Sequence, residues 1–154
     1  MNKKVKTSEI LKVYNIIGQA KYGKMSDEDK VKVWKIARKL KPVATKFEDD
    51  SKDAAEKMKP AEDFDQKLQR AQEYERLRQK GEPTIDIMTK PEYDEFLKTF
   101  KEYQKLIDKA VQEFADKEVK VDFDPINDEA FGKLMASNDW TMEQVATLGE
   151  FICE

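Results

Sequence analysis

The sequence contains no histidine and only one cysteine, Cys153, next to last of 154 residues. Without histidine there is no Ser-His-Asp or Cys-His arrangement for nucleophilic catalysis, and no imidazole to hold zinc. The same lack rules out a di-iron bundle built on Glu-x-x-His pairs. One thiol forms no internal disulfide and supplies no Cys-based metal site. The five glycines make neither a phosphate-cradling loop nor a dinucleotide fingerprint. No apolar run approaches the roughly 20 residues that span a bilayer, and no signal-like segment is visible. A single thiol and the lack of such a segment lead to the expectation of a cytoplasmic protein with no membrane partner. No cofactor is expected.

Charge is abundant. Charged residues make up 40% of the chain and apolar ones 39%, which is a high charge for a compact globule. Long helices with polar outer faces reconcile the two figures, and fifteen aromatic residues at helical spacing argue against disorder. The formal charge of -3 hides an asymmetry. Residues 1–46 carry thirteen Lys/Arg against four Asp/Glu, a net of +9, and residues 47–154 carry a net of -12. From Val121 onward, Lys133 is the only base against eight acids.

The dominant pattern is a heptad-like seam. Val33, Ala37, Leu40, Ala44, Phe47, Ser51, Ala54 and Met58 are spaced alternately four and three apart, with Ser51 the only polar member. Phe96, Phe100, Tyr103, Ile107, Ala110 and Phe114 repeat the pattern. Two long antiparallel helices follow, over 27–58 and 90–117, reaching about 40 Å each. Pro42 lies inside the first, away from the seam, and is read as a kink rather than a break.

Around these helices the local signals are clear. Thr7 or Ser8 is expected to cap a first helix, with Gly23 as its stop. Ser26 caps the long helix, and Asp27, Glu28 and Asp29 complement its dipole. A third helix is predicted near 63–80, ended by Gly81-Glu82-Pro83. Ile85 and Ile87 lie in a short link that is read as capable of being extended. Thr89-Lys90-Pro91-Glu92 has capping-box spacing for the next helix. Val119, Val121 and Phe123 alternate with charged residues, the mark of a half-buried strand; Lys3 to Lys6 is the partner that electrostatics favours, and Ile85–Met88 is the other candidate. Asn127 caps a short helix, and Thr141 with Gln144 caps the last. The expected fold is mainly α: one domain over 1–154, a helical hairpin or bundle with shorter terminal helices and a minor two-stranded β element.

Candidate chemistry is sparse. Glu48-Asp49-Asp50, with Asp53 and Glu56, point in several directions on a helix and are read as a solvated face, not a metal site. The run from Asp122 to Lys133 has the look of a calcium loop, but Asn127 occupies its glycine position and Lys133 its bidentate glutamate position. Nothing marks out one pair among thirty-two acids for acid–base work. The basic part of the long helix is more informative. Between Lys30 and Lys46 there are seven bases and no acid, and Lys32, Lys35, Lys39 and Lys46 form a stripe beside the seam. Such a stripe either tracks phosphates or neutralises the chain's own acidic end. Trp34 and Trp140 are read as core or interface anchors and complete the candidate interaction surface.

Ile10-Leu11-Lys12-Val13-Tyr14 followed by Gly18, Leu40-Lys41-Pro42-Val43-Ala44, and Ala130-Phe131-Gly132-Lys133-Leu134 with Ser137-Asn138-Asp139 give a layout of core and turn residues. It resembles small prophage-encoded proteins of unknown function from gut Bacteroides-type bacteria. The resemblance implies an accessory role in head or tail assembly and brings no catalytic residues. The expected function is a non-enzymatic interaction or assembly protein, with itself or a phage structural protein as partner. The alternative is a nucleic-acid-binding accessory that uses the basic stripe.

Overall fold

The computed structural model describes residues 1–154. Its order is β1 (Asn2–Lys6), α1 (Thr7–Gln19), α2 (Asp27–Lys57), α3 (Phe64–Gln79), α4 (Lys90–Asp116), β2 (Glu118–Asp122), α5 (Asp128–Ala136) and α6 (Met142–Ile152). The fold is mainly α with a small antiparallel sheet. The chain divides into two compact units, residues 1–50 with 113–154, and residues 51–112. Both divisions fall inside long helices, α2 and α4.

The first unit is closed by the chain's two end regions. β1 pairs antiparallel with β2, with Val5 opposite Val119 and Lys3 opposite Val121. Alternation puts those four on one face of the ribbon. Lys4 faces Lys120 on the other, and its ammonium reaches diagonally to Glu118 at 2.8 Å. Lys3 spans to α6, where its Nζ donates to the carbonyls of Glu150 and Phe151, each at 2.7 Å. A cation on the last-turn carbonyls of a helix satisfies acceptors that lack intrahelical partners. Burial lowers the Lys3 pKa, against the opposing pull of Cys153 and Glu150. Ile10, Ile36, Leu40, Ile126, Leu134, Leu148 and Ile152 are fully buried and form the core.

Caps set most helix starts. Ser26 Oγ accepts from Asp29 N–H, Asn127 Oδ1 from Ala130 N–H, and Thr141 Oγ1 from Gln144 N–H. The first helix departs from expectation. Its cap is Lys6, whose N–H donates to Glu9, while Thr7 is buried within the first turn. Both Thr7 N–H and Thr7 Oγ1 donate to the Lys117 carbonyl at 2.9 Å, so a tertiary bond has replaced the cap. α1 also ends at Gln19, four residues before Gly23. α2 runs unbroken through Pro42. Its buried face includes Ile36, which lies outside the heptad series, whereas Ala44, Phe47 and Ser51 are only half-buried.

The second unit is built on aromatic packing. Phe64 has the rings of Phe96, Phe100 and Tyr103 within 6.4 Å, the closest at 4.7 Å. Tyr74 stacks on Tyr93 at 4.3 Å. The Tyr103 hydroxyl donates to the Ala55 carbonyl at 2.6 Å, pinning α4 to the end of α2 within this unit. Residues 84–88 form a turn, not an extended link, because Ile87 and Met88 N–H both bond back to the Thr84 carbonyl. Gly81 precedes it with φ +71°, the backbone state that favours glycine.

Candidate functional site

Two concave surfaces of the first unit gather the residues the sequence singles out. One is a groove of about 770 Å³ formed by α1, the link after it and the first turns of α2. Tyr14, Tyr22 and Trp34 supply its aromatic walls, Gly18 and Gly23 lie along it, and Lys30 is its only charged lining residue. α2 buries Val33, Ile36 and Leu40, so its exposed side turns Trp34 outward; the indole is 55% exposed. The Arg38 guanidinium lies 5.0 Å from the Trp34 ring centre, a cation–π contact that orients the indole. Tyr22 donates its hydroxyl to the Ile17 carbonyl at 2.7 Å, and burial pushes its phenol pKa up, so it stays a neutral donor. Asn138 holds the link itself, accepting from Lys21 N–H and donating to the Lys21 carbonyl, both at 2.8 Å.

The second surface is a cleft of about 730 Å³ where Lys32, Lys35, Arg38 and Lys39 face Asp122, Phe123, Asp124 and Pro125. Three members of the predicted stripe are thus together, joined by Arg38, which sequence reasoning left out of the stripe. Lys32 also pairs with Glu28 and Asp29, each at 3.7 Å. Lys46 stands apart from the cleft. It bonds Asp50 at 2.8 Å, which raises its pKa, and lines a smaller pocket with Pro42, Phe47 and Phe114.

The two tryptophans separate. Trp140 is half-buried and packs against the core, whereas Trp34 is exposed. Tyr14 enters the sequence reading within a run of core and turn residues and Tyr22 not at all; the return of the chain after α1 brings both to the groove that Trp34 lines. No group of three or more His, Cys, Asp or Glu residues is placed to hold a metal ion. Burial pushes the Cys153 thiol up, Asp128 adds to the shift, and the group is held in its poorly nucleophilic protonated form. No helix is long and apolar enough to cross a membrane.

The chain matches no family model, no curated protein and no solved structure.

Proposed function

We propose that the protein is a non-enzymatic interaction or assembly protein that engages a protein partner through the α1–α2 groove. The observation that carries this is Trp34, a large indole left 55% exposed beside an apolar groove of about 770 Å³. Exposed aromatic residues next to a concave apolar surface are the usual anchors of protein recognition, and tryptophan leads among hot-spot residues. Val31, also on α2, is 48% exposed and enlarges the apolar surface. An accessory role in a phage structural module in a bacterial cytoplasm is the finer form of the proposal, and it rests on the sequence layout alone.

Nucleic-acid binding through the basic stripe is less well supported. Asp122 and Asp124 share the cleft with Lys32, Lys35, Arg38 and Lys39, and carboxylates there oppose phosphate binding. Lys46, the far end of the stripe, is engaged by Asp50.

The test is a photo-cross-linking residue placed at position 34 in the native host, with position 106 as control, since Leu106 is 54% exposed and belongs to the other unit. A discrete protein adduct at 34 and none at 106 is expected. Adducts at neither position, or nucleic-acid adducts at 34, would overturn the proposal.

A further inference from the structure

Two large apolar side chains stand almost fully in solvent, Met142 at the start of α6 and Ile85 in the other unit, and Ile85 is the one held on a turn. Ile85 is 77% exposed at the tip of the turn over residues 82–88. That turn is rigidly built. Gly81 sets its entry with φ +71°, and the Thr84 carbonyl accepts from Ile87 N–H at 3.0 Å and Met88 N–H at 3.1 Å. Arg70 donates twice to the Ile87 carbonyl, at 3.1 and 2.8 Å, and Met88 is buried beneath it. An exposed isoleucine on a braced turn loses little freedom on docking, which is the condition that favours a binding anchor.

The turn and the groove are opposite in charge. Glu82 and Asp86 flank Ile85, both are exposed, and no base lies between Gly81 and Thr89. The groove is made from a stretch, Ile10 to Lys46, with ten bases and three acids. Those three are occupied: Asp27 pairs with Lys30 at 3.5 Å, and Glu28 and Asp29 with Lys32. The cations are shared in turn, Lys30 with Asp27 and Lys32 with Glu28 and Asp29, so the complementarity is one of net charge: an acidic turn against a stretch with seven more bases than acids, with Lys30 lining the groove and Arg38 on its tryptophan.

Two glycines give an independent reason to expect a backbone in the groove. Gly18 is the next-to-last residue of α1, and glycine is the poorest helix former after proline. Neither Gly18 nor Gly23 has positive φ, and a Cβ on either would meet no protein atom within 4 Å. Gly23 sits in a turn closed by Met25 N–H on the Tyr22 carbonyl, but no contact within the chain calls for glycine at Gly18, and both line the groove. The missing side chains leave room for the close approach of another main chain.

We propose that the groove takes the turn over residues 82–88 of a second copy of this chain, with Ile85 inserted beside Trp34. The inference rests on the groove being a protein-interaction site and adds the occupant. The contact is heterologous, turn to groove, so each copy keeps one free turn or one free groove and assembly proceeds head to tail.

The test is sedimentation velocity of the full chain over a wide concentration range, with the variants Ile85→Asp and Trp34→Ala. The wild type is expected to gain mass with concentration, and each variant alone to remain a monomer. An equimolar mixture of the two should form a dimer and stop, because Ile85→Asp retains a working groove and Trp34→Ala a working turn. Gly18→Ala, which favours the helix, should weaken association about tenfold or more by closing the approach. A wild type that is monomeric throughout, an Ile85→Asp variant that still associates, or a mixture that stays monomeric would each overturn the inference. A position-34 adduct with a different protein would keep the groove as an interaction site while refuting the second copy as its occupant.

Discussion

The Lys117 carbonyl accepts two hydrogen bonds from one residue, Thr7: the backbone N–H and the hydroxyl, each at 2.9 Å. Thr7 is the first residue of α1 and Lys117 the residue before β2, so the bonds fasten the start of the first helix to the start of the second strand. Thr7→Val keeps the shape and the N–H bond but removes the hydroxyl. The expected loss is about 1 kcal/mol, read as a lower urea midpoint with an unchanged slope. An unchanged midpoint would show that the hydroxyl bond contributes nothing.

β1 supplies the only partner strand that β2 has. Removing residues 1–6 leaves a lone strand whose backbone groups must turn to water. Amide exchange over Val119–Asp122 is expected to speed up markedly, and α6 to loosen with it, because Lys3 no longer binds the Glu150 and Phe151 carbonyls. Unaltered protection in the shortened chain would contradict this coupling.

Much of the fold is legible in the sequence where the cause is local. Ser26, Asn127 and Thr141 are caps in the structure because a cap needs only its own next three residues. The alternation of Val119 and Val121 with charged residues was enough to place a strand, and the lysine-rich start of the chain was its nearest partner. Thr7 failed as a cap because a distant carbonyl competed for its hydroxyl, and a tertiary bond of that kind leaves no periodic mark. Ile36 escaped the heptad series because α2 buries residues 33, 36 and 40, a spacing of three and four that a series beginning 33, 37 passes over. At the groove, Trp34 and the basic residues were visible, but their separation was not. Lys46 with Asp50 and Arg38 with Trp34 are pairs four residues apart on α2 and were open to a local reading, whereas only the fold turns Trp140 inward.

Ser51, the lone polar member of the heptad series, carries a buried Oγ with no hydrogen-bond partner. A buried hydroxyl without a partner is a standing cost, so Ser51→Ala is expected to stabilise the protein by about 1 kcal/mol. Thermal unfolding reads this directly, and a lower melting temperature would show that the hydroxyl has a stabilising role.

Glu118 links the ribbon to pH. Its carboxyl is held below the usual carboxylate range by the hydrogen bond from Lys4, then by the charge of Lys4. A pKa lowered by folding means stability that is fully present above the unfolded value, near pH 4–5, and lost as pH falls through the lowered one. Wild type and Glu118→Gln should therefore differ slightly at neutral pH and converge in acid, since exposed pairs contribute little. A difference that grows on acidification would have the wrong sign.

Trp34, if it is the working residue of the groove as proposed, becomes covered when another protein chain binds. With both tryptophans carrying a fluorine label, the chain has two fluorine resonances, and Trp140 serves as an internal control because it packs on the core. Raising the protein concentration is predicted to shift the Trp34 resonance and shield it from solvent while the Trp140 resonance stays in place. A Trp34 resonance that keeps its dilute-solution position and solvent sensitivity while the protein associates would show that the groove is not the contact.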